Sequence, residues 1–89
     1  MSVTNEPEAP DPPPLHALST LLRPSEARRR HFSHIYPSDA SFDWGIRRHR
    51  RRLVAAGALV VINGQKWVEP VRFANEIFVI GRETAERVG

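Results

Sequence analysis

The chain has 89 residues, a formal net charge of +3 and no cysteine. A chain of this length forms one domain at most, and without thiols it can form neither disulfide bonds nor cysteine-ligated zinc sites. No apolar run approaches the roughly 20 residues that cross a bilayer, and the N-terminus lacks the charged-then-apolar pattern of a signal peptide. We therefore expect a cytoplasmic protein with no membrane partner.

The positive charge is concentrated in the middle of the chain. Residues 23–52 contain nine arginines against three acids, and 12 of the 13 basic side chains in the whole chain are arginine. Arginine suits bidentate contacts with phosphate or guanine, and a basic stretch on one element is typical of a protein with a polyanionic partner. The charge pattern favours nucleic-acid binding over the alternative, a solvated helix face.

The N-terminal third is expected to pass from disorder to helix. Residues 1–14 hold five prolines and three acids, a composition that predicts a disordered Pro-rich tail. Leucines at positions 15, 18, 21 and 22 predict a short helix that stops before Pro24. A second helix is predicted from a cap at Ser25 to about residue 34, followed by a turn over 36–39. Its inward residues would be Ala27, Phe32 and Ile35.

A long basic helix is predicted over residues 39–56, with Gly57 just beyond its end. At 100° per residue, one side collects Phe42, Ile46, His49, Leu53 and Ala56, which predicts the buried face. The opposite side collects Trp44, Arg47, Arg48, Arg51 and Ala55. Arg50 and Arg52 flank the buried stripe and are assigned to neither face. An exposed tryptophan among arginines is unusual for a face that only needs solubility.

A hairpin and a last helix follow. Asn63-Gly64 between two β-rich runs is a strong hairpin signal, and it predicts pairing of Ile62 with Gln65 and of Val60 with Trp67. Trp67 is expected in the core. The last helix is predicted to open at Glu69-Pro70 and to end at Gly81, with residues 82–89 as a charged tail. Its buried face would contain Phe73, Ile77 and Ile80, with Val71, Ala74 and Phe78 alongside.

This order of elements predicts an α+β, mostly helical winged helix-turn-helix domain over residues 15–81, with a two-stranded hairpin wing and a C-terminal helix. The major groove admits one α-helix, and a hairpin tip can reach the neighbouring groove or backbone. The predicted DNA contacts are Ser41, Trp44, Arg47, Arg48 and Arg51 on the recognition helix, Asn63, Gln65 and Lys66 on the wing, and Arg28, Arg29 and Arg30 on phosphates. Trp44 could equally close the core.

The residues indicate no catalytic chemistry. His31 and His34 lie three apart, but a metal site needs three or four convergent ligands. No serine–histidine–acid arrangement or glycine-rich phosphate loop is present in the sequence. We expect no enzyme activity, no cofactor and no metal.

The segment from Leu22 to Phe73 also resembles a known family. Arg-Pro-Ser-Glu-Ala at 23–27, Ser-Phe-Asp-Trp at 41–44 and Ala-Gly-Ala-Leu-Val-Val-Ile-Asn-Gly at 56–64 resemble the excisionase-like winged-helix proteins. These are the recombination directionality factors of prophages and of integrative and conjugative elements in proteobacteria. The resemblance implies a recognition helix over about 39–56 and a wing over 58–69.

The resemblance also implies a function in the excision of mobile elements. Such proteins bind tandem sites near an attachment site, often cooperatively, bend the DNA and help a tyrosine recombinase (integrase) to excise the element. They perform no bond chemistry, and many also regulate transcription. For this chain we accordingly expect double-stranded DNA, a tyrosine recombinase and cooperative self-association on DNA as partners, and a cytoplasmic location at the nucleoid. Two alternatives stay open: a dedicated transcriptional activator or repressor of a mobile element, and a protein-interaction module without DNA binding that uses Trp44 and the last helix.

Overall fold

The computed structural model describes residues 15–88, so the predicted tail over residues 1–14 lies outside the described residues. A 3₁₀ helix at Leu15–Thr20 precedes α1 (Pro24–Ala27), which continues as a π-helical turn at Arg28–Phe32. Then follow α2 (Asp39–Arg48), α3 (Arg50–Ala55), the strands β1 (Leu59–Ile62) and β2 (Gln65–Val68), and α4 (Pro70–Val88). The expected α+β composition, mostly helical with a two-stranded hairpin and a C-terminal helix, is confirmed.

The start of the second helix and its inward face differ from the prediction. Arg23, not Ser25, holds the N-cap position, and Pro24 opens the helix because proline is preorganised for a first turn and needs no donor there. The π-helical turn then changes the rotation of the residues that follow it. As a result Ile35, predicted to point inward, is 53% exposed, and Tyr36 packs against the core instead.

The predicted long helix is interrupted at His49, whose φ of −113° and ψ of 23° are not helical. Hydrogen bonding nevertheless crosses the interruption: the His49 N–H donates to the Gly45 carbonyl at 3.1 Å, and the Leu53 N–H donates to the His49 carbonyl at 3.0 Å. Helices α2 and α3 therefore follow one another closely. Their buried side chains include Phe42, Ile46 and Leu53, as predicted, whereas His49 and Ala56 are only half-buried.

The hairpin has the predicted register, with Ile62 opposite Gln65 and Val60 opposite Trp67. Asn63 and Gly64 both adopt positive φ, 55° and 75°, as the tight hairpin turn requires. A further pairing was not predicted. Leu22, expected at the end of a helix, forms an antiparallel bridge with Val68, with N–H to carbonyl distances of 2.9 and 2.7 Å.

An aromatic cluster forms the centre of the core. The ring centroids of Phe32, Phe42 and Phe73 lie 5.0 to 5.9 Å apart, and Tyr36 meets Phe42 edge-on at 5.2 Å. Tyr36 can approach α2 only because Gly45 has no side chain: a Cβ there would lie 2.8 Å from the Tyr36 Cε1. The cluster joins the π-helical turn, α2 and α4 into one core, to which α1 contributes Ala27.

Helix α4 continues to Val88, so its predicted end at Gly81 is wrong. Phe73 is buried as predicted, and Ile77 packs against the core. Val71 and Phe78, expected beside the buried face, are 74% and 69% exposed. Among the described residues, no helix combines the length and the apolar character needed to cross a membrane.

Candidate nucleic-acid interface

Helices α2 and α3 present a contiguous basic surface. One shallow depression is lined by Arg47, Arg48, Arg50, Arg51 and Val54, and the neighbouring one by Trp44, Arg47 and Arg48. We call Trp44 with these four arginines the basic face. Trp44 is 57% exposed and therefore does not close the core. The Arg48 guanidinium lies 5.1 Å from the Trp44 ring centroid, a cation–π contact that holds the two side chains together.

Three arginines of the basic face have no acidic partner among residues 15–88. Within residues 15–88, the arginines of α2 and α3 that form ion pairs are Arg47 and Arg52, and no carboxylate lies within 4 Å of the guanidinium groups of Arg48, Arg50 or Arg51. Arg50 was not among the predicted contacts. Its helical position flanks the buried stripe, so the periodicity alone did not assign it to this surface.

Arg52, in contrast, faces α4. Its Nε donates to Glu76 Oε2 at 2.9 Å, and its Nη1 donates to Glu83 Oε1 at 2.6 Å. The hydrogen bond from Arg52 lowers the pKa of Glu83. Arg52 thus ties α3 to α4, and its charge is compensated within the protein.

The hairpin lies beside the basic face, and Asp43 connects the two. The Asp43 carboxylate lies 3.5 Å from Arg47 Nη2 and 3.8 Å from Lys66 Nζ, one oxygen facing each cation. All three side chains are roughly half-exposed or more. The predicted wing residue Lys66 and the predicted helix residue Arg47 are therefore neighbours.

The other hairpin residues have different surroundings. Asn63 is exposed at the turn, whereas the Gln65 Oε1 accepts a hydrogen bond from Arg23 Nη1. The Arg23 guanidinium also lies 5.4 Å from the Trp67 ring centroid. Trp67 is half-buried beneath it, not in the core as expected. Arg23 belongs to this surface because the Leu22–Val68 bridge places it there, and nothing in the local sequence indicated that bridge.

Ser41 takes part in capping the N-terminus of α2. Its N–H donates to Ser38 Oγ at 3.0 Å, the Ser38 N–H donates to Ser41 Oγ at 3.2 Å, and the Ser41 hydroxyl donates to the Ser38 carbonyl at 2.8 Å. This reciprocal capping satisfies donors that a helix start leaves free. The half-buried Ser41 is engaged within the protein.

The three consecutive arginines of the π-helical turn are not equivalent. The Arg28 side chain is 15% exposed; its Nε lies 2.7 Å from Asp39 Oδ1, and its Nη1 donates to the Tyr36 carbonyl. It therefore fastens the turn before α2 to the preceding helix. Arg29 and Arg30 are exposed and share the Glu26 carboxylate at 2.6 Å each. The hydrogen bond from Arg30 is the main reason that the pKa of Glu26 is lowered, and Arg29 adds to it.

Among the described residues, the histidines are not grouped with other metal ligands. Partial burial lowers the pKa of His49, and the nearby charges of Arg48 and Arg52 lower it further. Residues 15–88 contain no group of three histidine, cysteine or acidic side chains arranged to hold a metal ion.

Comparison with known proteins returns no match: no protein-family model, no curated protein and no solved structure resembles this chain closely enough to assign it.

Proposed function

We propose that this chain is a winged helix-turn-helix protein that binds duplex DNA, with α2 and α3 in the major groove and the β1–β2 hairpin along the adjacent backbone. The observation that carries the proposal is the basic face. Its arginines at 48, 50 and 51 are exposed, lack acidic partners within the described part of the chain, and lie near an exposed tryptophan. A helix surface that serves only solubility needs neither feature, since ion pairs with acids would serve as well.

Each part of the surface has a chemical task on DNA. Exposed guanidinium groups can contact phosphates or read guanine bidentately, and Trp44 can pack on sugars or thymine methyl groups while it holds Arg48 in place. Lys66 and Asn63 suit the backbone beside the groove. Asp43 repels phosphate but can accept a hydrogen bond from a cytosine amino group, which favours selective over indiscriminate binding.

Some of the predicted DNA contacts already have partners within the protein. Arg28 and Ser41 have structural partners, so we assign them to holding α2 in place. Arg29 and Arg30 can bind a phosphate in place of the Glu26 carboxylate. Gln65 can contact DNA once it releases its hydrogen bond with Arg23. The basic face, Lys66 and Asn63 form the core of the proposed interface.

The resemblance to excisionase-like proteins makes the proposal more specific. We assign the chain a role as a recombination directionality factor that bends attachment-site DNA, assists a tyrosine recombinase in excising a mobile element and also regulates transcription. A dedicated transcriptional regulator would use the same surface. An excision assay with the cognate integrase and attachment sites separates the two: stimulation supports the first, and intact operator binding without stimulation supports the regulator.

DNA binding itself is tested by fluorescence anisotropy of labelled duplexes over a range of salt concentrations. Because each phosphate-neutralising cation releases counterions, we expect affinity to fall steeply with salt. Absent binding, or binding insensitive to salt, would overturn the proposal and leave a protein-interaction module.

A further inference from the structure

The outward face of α4 carries an apolar stripe that no other described residue covers. Its members follow alternating spacings of three and four residues and are all exposed: Val71, Ala74, Phe78, Gly81, Ala85 and Val88. Val71, Phe78 and Val88 are 74%, 69% and 79% exposed. The outer face of a surface helix is ordinarily polar, and this spacing is the heptad repeat by which helices pair with one another. We call these six residues the α4 stripe.

The outer residues of the α4 stripe are the same from both ends, and the two central residues are complementary in size. Val71 corresponds to Val88 and Ala74 to Ala85, while the central pair joins the largest residue, Phe78, to the smallest, Gly81. When two copies of α4 lie antiparallel, each residue of such a pair meets its counterpart in the other copy. The Phe78 ring would then meet Gly81 of the second copy, where a Cβ would have no heavy atom within 4 Å.

A parallel pair fits the same stripe poorly. It would set Phe78 against Phe78 and Gly81 against Gly81, which crowds one layer and leaves a void in the next. Beside the stripe, Arg82 of one copy would come nearly level with the neutral Asn75 of the other in the antiparallel order.

We propose that two copies of this chain associate through their α4 stripes as an antiparallel, two-fold symmetric dimer. Such an interface is self-complementary, since the same patch serves both copies. The dimer does not depend on DNA. In combination with the proposed function, two copies related by this axis that bind one duplex require half-sites arranged as an inverted repeat.

The test is sedimentation equilibrium of the full chain without DNA. We expect a concentration-dependent monomer–dimer equilibrium, and Phe78→Glu should raise its dissociation constant by roughly 30-fold or more, because loss of a central hot-spot contact has at least that effect. Ile35→Glu is the matched control, an exposed apolar residue away from α4, and should leave the constant unchanged. A chain that stays monomeric throughout, or a dimer indifferent to Phe78→Glu, would overturn the proposal.

Gly81→Leu tests the orientation without endangering the fold. Leucine favours a helix over glycine, so the thermal midpoint should hold or rise, while the added side chain occupies the space that Phe78 of the second copy needs. The antiparallel dimer should therefore be lost. A strengthened dimer would indicate parallel pairing and contradict the proposed arrangement.

Cross-linking tests the register, because the chain has no cysteine of its own. Ala74→Cys and Ala85→Cys chains, when mixed and oxidised, should form a mixed disulfide dimer. Either variant alone should not, since positions 74 and 85 are about 16 Å apart along a helix and disulfides need Cα separations below about 7 Å. Disulfide homodimers of Ala74→Cys would refute the antiparallel register. These outcomes are unaffected by whether the protein binds DNA.

Discussion

Adjacent arginines at the end of the central helices should have opposite roles. Arg51 is exposed on the basic face and has no acidic partner among the described residues, whereas Arg52 donates to Glu76 and Glu83 of α4. Arg51→Ala should therefore weaken DNA binding and preserve stability. Arg52→Ala should lower stability, because it leaves Glu76, with a side chain only 16% exposed, without its cation.

The expected size of the DNA effect follows from the number of cations on the surface. Arg47, Arg48, Arg50, Arg51 and Lys66 make five, so the slope of log affinity against log salt should approach about −4.5 if each neutralises one phosphate. That slope corresponds to a loss of about 500-fold between about 0.05 and about 0.2 M salt. Arg51→Ala should reduce the slope by about 0.9 and cost about 1–3 kcal/mol of binding free energy if the residue reads a base.

Fluorescence anisotropy with one labelled duplex measures the affinity and slope, and thermal denaturation followed by circular dichroism measures stability. Arg52→Ala should keep the wild-type slope while its midpoint temperature falls; Arg51→Ala should show the reverse. Wild-type affinity for Arg51→Ala, or equal losses of slope for both variants, would refute the assignment of the basic face.

Three further predictions concern single residues. Leu53→Ala should destabilise the domain by about 2–5 kcal/mol, because Leu53 is fully buried; an unchanged thermal midpoint would mean that this side chain does not anchor the helix. Asp43→Asn removes the carboxylate between two cations of the proposed interface, so anisotropy should show tighter binding to random-sequence duplex. Weaker binding would show that the carboxylate orients those cations. The pKa of His49 is lowered in the folded protein, so the unfolded chain binds a proton at His49 more tightly than the folded protein does. The neutral His49 ring therefore contributes to stability above pH about 6.5, and this contribution is lost as pH falls through the lowered pKa. The midpoint temperature should therefore fall between neutral pH and about pH 5, and His49→Gln should flatten this dependence; an unaltered pH profile in that variant would contradict the assignment.

Local chemistry made several elements predictable. Asn63-Gly64 specifies a tight turn and with it the whole hairpin register, because both residues accept positive φ and the strands follow from the turn. The 3.6-residue period likewise identified Phe42, Ile46 and Leu53 as buried. Periodicity was less informative on α4, whose apolar residues occupy both the buried and the exposed face, so Phe78 was assigned to the wrong side.

The roles of the arginines were decided by tertiary structure. In sequence, residues 28–30 and 47–52 are two runs of similar cations, and only the folded chain distinguishes the members of each run. The partners of Arg52 lie 24 and 31 residues away along the chain. Asp39 binds Arg28 across a turn. The same holds for Arg23, which the Leu22–Val68 bridge brings onto the hairpin. Composition determined that this protein is rich in arginine, and folding determined which guanidinium groups stay free to bind, because a charge is neutralised by what lies near it in space and not along the chain.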